Sequence, residues 1–570
     1  MIKEFVTGYG GSVYTYVPLG SFPNNLLFVN GALYFSIRNS RKEHEFWKSD
    51  GTTNGTVLIK NIAEATETSL ANENMGFFTN ANGTLYLTAF NGTNGIELWK
   101  SDGTEAGTVL VKDIWDGSGS SVPRYLTNVN GTLFFSANDN SKGDELWKSD
   151  GTEAGTVLVK DINTGYYDPI YGTLYESSSP IYLTNINGVL YFIANTSIGT
   201  ELWKSDGTAA GTVLVKDIRV GSGSSNPENL SNINGTLYFS AYDGTNNALW
   251  KSDGTTGGTV LIKTGRALNL TNVNGTLYYA TDDATNGYAL WKSDGTTTGT
   301  IKLKDFYFGN CNCASYYNPS YLTNINGTLF FQARSGNNSA LWKSDGTTAG
   351  TVVIPGTTAI PLSSPDNLVN VNGTLFFAAY VANTSTNISG KELWKSDGTT
   401  AVFVKDINPG ISGSFPDNLT NVNGTLYFKA NNGTNGYELW KSDGTAAGTV
   451  MVKDIYPWSY TSNGLGSEIN YLTNVNGTLF FGANDGIHGL ELWKYTPPNC
   501  PTSLPLTSPT DDASSGTILK QASAATGNIA ATNKITGIAN VTYEAKSIQL
   551  NPGFKADNGT VFKAQVGGCL

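Results

Sequence analysis

The chain has 570 residues, 39% hydrophobic, 12% aromatic and only 14% charged, with a formal net charge of −11. Little charge combined with abundant Gly, Asn and Thr suits short strands and tight turns and excludes coiled coil and charged disorder. The acidic balance leaves no basic stripe to displace phosphate counterions, which argues against nucleic acid as a partner, and no apolar run approaches the ~20 residues of a membrane-spanning helix.

The chain opens Met1-Ile2-Lys3-Glu4 with no apolar h-region, so no signal peptide is visible. From there a unit recurs ten times, each copy holding one Trp: Trp47, Trp99, Trp147, Trp203, Trp250, Trp291, Trp342, Trp394, Trp440 and Trp493. Successive Trp residues lie 41 to 56 positions apart, the period of one four-stranded propeller blade. Residues 418–455 show one unit in full. A run from Leu419 to Val422 meets the hairpin signal Asn423-Gly424, and Thr425–Ala430 returns as a second strand. A polar turn leads to Tyr437-Glu438-Leu439-Trp440-Lys441-Ser442, and Asp443-Gly444-Thr445 leads to a fourth strand over Thr449–Ile455. We call the four strands A to D. Alternation of period two runs through them with no helical periodicity in competition.

The tenth unit has A, B and C but no D strand after Trp493, whereas Ile2-Lys3-Glu4-Phe5 resembles the strand-D ending Val404-Lys405-Asp406-Ile407. The reading is therefore an all-β chain whose residues 1–495 form a single ten-bladed β-propeller, closed by its N-terminal strand so that no sheet edge is left open. This is preferred to an open solenoid, and to two five-bladed rings, which need a second closure near Thr264. Residues 496–519, rich in Pro, Ser and Thr, read as a linker. Residues 520–570 read as a small β domain whose first strand begins near Thr517. Its expected core is Ile529, Ile535, Ile538, Val541, Tyr543, Ile548, Leu550, Phe554, Val561 and Phe562, with turns at Asn551-Pro552-Gly553 and Asn558-Gly559.

A Trp at the same place in every blade reads as inter-blade packing with its indole N–H satisfied locally, not as a sugar-binding array. The Ser-Asp-Gly-Thr carboxylates repeat in nine units and read as acceptors of turn N–H groups, because catalytic acids break symmetry. Asn-Gly-Thr fits a glycosylation sequon but also a hairpin turn, and the turn is the preferred reading. The B–C turn Asn138–Asp144 offers hard oxygens to Ca²⁺ without a fixed carboxylate spacing, so the expected cofactor is none, with Ca²⁺ as the single candidate. His44 and His488 are the only histidines and stand in no catalytic or zinc motif.

What breaks the symmetry is the D-to-A connections. They carry Trp115; Tyr166, Tyr167, Tyr171 and Tyr175; Tyr307, Tyr316 and Tyr317; and Trp458 and Tyr460. In an antiparallel blade these connections and the B–C turns share one face of the ring, and loops on a rigid scaffold are where binding residues concentrate. The four cysteines are Cys311, Cys313, Cys500 and Cys569. An even count, with Cys500 and Cys569 bracketing the C-terminal segment, points to an oxidising, extracellular setting. A Cys500–Cys569 bridge would add about 4 kcal/mol on the loop-entropy model. Cys311 and Cys313 read either as a tight, strained bridge or as two free thiols.

The Glu-Leu-Trp-Lys-Ser-Asp-Gly-Thr-x-x-Gly-Thr units at Glu97, Glu145, Glu201 and Glu438 resemble the ELWxxDGT repeat family of bacterial secreted and surface proteins. Departures are local: Ala248, Ala289 and Ala340 in place of Glu, Phe46 in place of Leu, and a shortened turn after Thr400. The tail from Ile529 resembles the three-coathanger stack domain of Bacteroidetes-type bacteria, and Gly568-Cys569-Leu570 is similar to a Gly-Cys-X C-terminal sorting signature, which competes with a disulfide at Cys569. The resemblance implies secretion or surface display and no defined ligand. The functional expectation is a non-enzymatic adhesin on the cell surface, binding a glycan or a surface protein through its aromatic loops. Its rivals are a polysaccharide-acting propeller hydrolase or lyase, marked by carboxylates, Tyr or His converging at the channel mouth, and a structural surface-layer component.

Overall fold

The computed structural model describes residues 1–570 apart from 4–8, 11–16, 19–20, 39–43, 64–74, 165, 169–171, 175, 283–287, 307–317, 336–337, 358–361, 382–389, 411, 458–465, 498–502, 507–511, 513–516, 522–527, 532, 537–539, 546, 552–553, 557–560 and 567–570. The ten units form ten antiparallel sheets in the order A-B-C-D, from Asn24–Ala63 in blade 1 to Asn470–Tyr495 in blade 10. In blade 9 the strands are Asp417–Val422, Thr425–Asn431, Tyr437–Ser442 and Val450–Lys453, with Phe428 registered against Trp440. Strand A of each blade adjoins strand A of the next, and strand A of blade 10 adjoins that of blade 1. The A strands are therefore the inner wall of a closed ten-bladed ring.

Blade 10 carries three strands, and the N-terminal segment takes the place of the fourth. Ile2 N–H donates to Leu492 O at 3.0 Å, and Ile2 is buried with Leu33, Phe35, Trp47, Phe480 and Leu492. Lys3 lies 5.2 Å from the Trp47 ring centroid and donates from Nζ to Thr56 O at 3.0 Å. Lys60 of blade 1 strand D does the same to Trp99 and Thr108 of blade 2. Lys3 thus occupies the position of a strand-D lysine; the expected Glu4 and Phe5 lie outside the described residues. Blades 5 and 6 share one core, in which Ile233, Tyr238 and Leu249 meet Leu277, Tyr279 and Trp291, so no second closure falls near Thr264.

Each propeller cluster of buried side chains bridges two blades. Blade 9 contributes Val422, Tyr427 and Leu439 to the core that holds Leu479, Phe481 and Trp493 of blade 10. The Trp positions are packing residues, 0 to 8% exposed. The expectation that every indole N–H finds a local partner is corrected. Trp47, Trp342, Trp394 and Trp493 donate to Glu45, Ala333 O, Ala379 O and Ala483 O. The indole nitrogens of Trp99, Trp147, Trp203, Trp250, Trp291 and Trp440 are buried without one. In five of these six, a lysine from the preceding blade sits over the ring at 5.0–6.0 Å, and a lysine also sits over Trp47, Trp342 and Trp493, so the cation–π contact belongs to the blade packing whether or not the N–H is paired.

The turns follow their chemistry. In blade 1, Asn30 (φ 50°) and Gly31 (φ 86°) both take the left-handed conformation of a two-residue hairpin loop. The Asn130 side chain of the next such turn but one reaches Gly188 O of the neighbouring blade at 3.4 Å, which agrees with the turn reading of Asn-Gly-Thr. Asp102 Oδ1 accepts Thr104 N–H at 2.9 Å and the Thr104 hydroxyl at 2.7 Å, and a Cβ on Gly107 would stand 2.0 Å from that carboxylate.

The C-terminal strands are parallel. Ser503–Leu506, Asn528–Ala531 and Ser547–Leu550 form one sheet; Thr517–Gln521, Asn540–Ala545 and Val561–Val566 a second; Lys534–Ile535 and Lys555–Ala556 a third. Successive coils stack in register, so the stretch read as a linker contributes the strand Ser503–Leu506 to this small domain, ahead of the expected first strand at Thr517. Its core is Leu506, Ile529, Ala531, Ile535, Val541 and Tyr543, with Ile548 and Phe554 against it. Leu550, expected inside, is 45% exposed, at the end of the edge strand Ser547–Leu550 of its sheet. The Ile538 position, the Val561 and Phe562 side chains and all four cysteines lie outside the described residues.

Candidate functional site

The D–A connections are held by a buried carboxylate at the start of strand C. Glu97, with no exposed surface, accepts Ile114 N–H at 3.1 Å, Ser121 N–H at 2.8 Å and the Ser121 hydroxyl. The clasp recurs at Glu145 with Ile162 and Ser178, at Glu201 with Ile218 and Ser225, and at Glu392 with Ile407 and Ser414. Glu438 receives Ile455 and Tyr456, and Glu491 receives Ser21 across the ring closure. Blade 5, with Ala248 in place of Glu, lacks the connection to be clasped: strand D ends at Thr264 and strand A begins at Ala267. In blade 5 the Glu and the connection are absent together, whereas blade 6, with Ala289, keeps a connection between Asp305 and Ser320 without the Glu.

Burial pushes the carboxyls of Glu97, Glu145, Glu392 and Glu438 up to about 7, against hydroxyl and N–H donors that pull them down. The folded chain then holds more protons than the unfolded one between the ordinary value of 4.5 and about 7, so this contribution to stability is lost as pH rises through that window. The turn carboxylates act oppositely. Thr hydroxyls and N–H groups hold Asp102, Asp150, Asp206, Asp294, Asp345 and Asp397 below 3.8, which favours folding above that pH and is lost as pH falls. The melting temperature is expected to peak near pH ~4–5 and fall toward pH ~7. A scan from pH 3 to 8 checks this, and a profile rising from pH 5 to 8 would show the Glu carboxyls ionised in the fold.

Of the residues expected to bind ligand, Trp115 is described fully. It is half-buried, and its indole lies over Gly119, where a Cβ would stand 2.0 Å from Cδ1. Arg219 covers Gly223 in the same way in blade 4, so Trp115 holds its own connection down. Tyr166 and Tyr167 lie in a short hairpin, Tyr166–Asp168 against Gly172–Leu174, whose side chains are outside the described residues. Tyr171, Tyr307, Tyr316, Tyr317, Trp458 and Tyr460 are outside them altogether.

The same face carries a cavity that sequence reading missed. It lies between blades 8 and 9, has a volume of about 300 Å³ and is lined by Asn367, Lys391, Phe415, Pro416, Asp417, Lys429 and Tyr437. Lys391 at the start of strand C pairs with Asp366 of strand A, next to the bulge. Asn367 donates to Asp417 Oδ1 at 3.3 Å, and Lys429 sits 5.0 Å from the Tyr437 ring centroid. Phe415, 41% exposed, packs edge-on to Tyr380 at 6.3 Å, and its N–H donates to Lys391 O at 2.9 Å. Burial raises the Asp366 carboxyl in spite of Lys391, and burial together with Asp417 raises the Tyr437 hydroxyl. The positions matching Lys429 are Ser36, Thr88, Ser136, Ile193, Ser240, Ala280, Gln332, Ala378 and Gly482. That departure from the repeat was the available signal. A second cavity, of about 160 Å³ between blades 3 and 4, is built from Lys148 and Gly207, a contact that blades 1 and 2 repeat at Lys48–Gly103 and Lys100–Gly151. It is part of blade packing.

In the turn considered for Ca²⁺, Asp139 Oδ1 already accepts Ser141 N–H, the Ser141 hydroxyl and Lys142 N–H. Among the described residues no three His, Cys, Asp or Glu side chains converge as a metal site, and no helix is long and apolar enough to cross a membrane.

No family model matches the chain, and no curated protein matches it. Solved structures similar to it include one from a study of two prolyl endopeptidases, at 12% identity and a TM-score of 0.32, covering 78% of this chain and 56% of that one. The β-propeller domain of the Trilobed protease from Pyrococcus furiosus aligns at 10% identity and a TM-score of 0.26, over 67% of this chain and 96% of that one. Puromycin hydrolase aligns at 12% and 0.28, over 91% and 63%. The chain thus spans little more than half the length of the prolyl endopeptidase chain. Because structures of this strand arrangement include peptidases, the expectation that the protein is not an enzyme does not stand. With TM-scores below 0.5, the likeness itself assigns no activity.

Proposed function

We propose that the protein is a secreted or surface-displayed bacterial propeller that holds a glycan on the D–A face of its ring. The observation that carries this reading is the cavity between blades 8 and 9. There Lys429 departs from the repeat, and the lining gathers two lysines, an aspartate, an amide and two aromatic rings, a set that hydrogen-bonds hydroxyls and stacks on sugar faces. The resemblance to the ELWxxDGT repeat family supports the location. On a glycan array, wild type is expected to bind, and Lys429→Met with Asp417→Asn to lose at least ~10-fold in affinity, about 1.4 kcal/mol. Undiminished binding by that double variant would remove the cavity from the site.

A second reading, a hydrolase or lyase acting on polysaccharide, is favoured by Asp366, whose carboxyl is raised by burial, is paired with Lys391 and feels the charge of Asp417. Assaying a bound glycan for new reducing ends separates the two: turnover abolished by Asp366→Asn supports the enzyme, and binding without turnover supports the adhesin.

A further inference from the structure

In all ten blades the strand-A residue four before the strand's last is left-handed, at a β-bulge. Five blades place Asn there: Asn25, Asn229, Asn269, Asn367 and Asn418, at φ 52 to 57°. The other five place an aromatic: Phe77, Tyr125, Tyr182, Tyr321 and Tyr471, at φ 48 to 57°. Asn adopts this conformation readily, whereas a bulky side chain is strained in it. The scaffold does not need the aromatic, because the same bulge forms around either type. Thr127 and Thr184 donate to the carbonyls of Tyr125 and Tyr182 just as Ser231 and Thr271 do to those of Asn229 and Asn269. Burial does not explain the choice, since the five aromatics are 40 to 52% exposed. Strain accepted repeatedly to display an exposed ring marks a functional surface.

Strand A is the inner wall of the ring, and this bulge lies toward its D–A end, so these rings stand around the channel mouth. Phe77, Tyr125 and Tyr182 occupy three consecutive blades and form an arc. We infer that this arc is a binding surface for a neutral oligosaccharide, one ring per blade offering a stacking face to successive sugar units. The inference rests on the glycan reading above and adds a second contact surface, on blades 2 to 4, to the cavity of blades 8 and 9. An extended peptide would have to add to the free edge of strand A, and the bulge interrupts that edge here, at the register shifts between Gly76 and Thr79, Arg124 and Thr127, and Ile181 and Thr184. What remains are ring faces and tyrosine hydroxyls, the chemistry that recognises sugars.

The test is the triple variant Phe77→Asn, Tyr125→Asn, Tyr182→Asn, which installs the residue that five sister blades already carry. Cellohexaose, mannohexaose and chitohexaose are titrated calorimetrically into full-length wild type and variant, and melting temperatures are measured in parallel. The expected result is at least a tenfold loss of affinity for the hexaose that binds wild type, with a melting temperature unchanged or higher. Undiminished affinity in the triple variant overturns this inference and leaves the glycan reading standing. A melting temperature lowered by several degrees overturns it too, since the rings would then be packing residues. Failure of wild type to bind any of the three hexaoses takes the glycan reading down with it.

Discussion

Trp394→Ala is expected to cost about 3–5 kcal/mol, among the largest losses available to a single substitution in the ring. Trp394 has no exposed surface, stacks on Phe377 at 6.5 Å, meets Phe403 edge-on at 5.5 Å and donates from Nε1 to Ala379 O at 3.2 Å. Its core also contains Ile325, Phe330 and Leu341 of blade 7, so the cavity would loosen an inter-blade contact as well as its own sheet. In a repeat ring, where each blade leans on its neighbours, that is a loss of coupling. The more discriminating comparison is with phenylalanine. Trp394→Phe removes ring volume and also strands Ala379 O, whereas Trp99→Phe removes an indole nitrogen that has no partner. Trp394→Phe should therefore be worse by about 1 kcal/mol. Urea midpoints of the three variants decide the matter; Trp99→Phe as damaging as Trp394→Phe would mean that the N–H is satisfied after all.

Glu392→Ala should have the largest effect on the site. It leaves Ser414 N–H, the Ser414 hydroxyl and Ile407 N–H without their acceptor, all three buried, at about 1 kcal/mol or more each. The loss falls first on the connection that carries Phe415 and Pro416 into the cavity, so proteolytic nicking between Ile407 and Asp417 should rise and glycan affinity should fall together. Glu392→Gln retains an acceptor oxygen and should be milder in both. An alanine variant whose connection stays intact would show that the loop holds itself. Ala248 does not contradict the prediction, because its blade has dispensed with the connection.

By itself the sequence determined the number of blades, the strand order and the turns. Each of these depends on contacts repeated ten times within short stretches: the Asn-Gly hairpin, the Asp-Thr turn, the alternation around each Trp. The closing role of Ile2 and Lys3 was legible for the same reason, since they copy a motif seen in other blades. The small domain was legible as β but not in its boundaries. In a parallel stack, Ser503–Leu506 pairs with Asn528–Ala531 across more than twenty residues, and no local turn marks it.

The site was less legible. Aromatics in the D–A connections point to Trp115, in a shorter one, which lies down on Gly119; Phe415 and Tyr437 sit at ordinary repeat positions and carry no such signal. Only the tertiary structure decided that Lys391 of blade 8 and Lys429 of blade 9 open into one cavity, because the two belong to different blades and meet only when those blades stand side by side. Only the backbone showed that Phe77, Tyr125 and Tyr182 are left-handed and exposed on the inner wall. In sequence they are three aromatics in strands full of aromatics, and what separates them from packing residues is a bulge and the curvature of a closed ring.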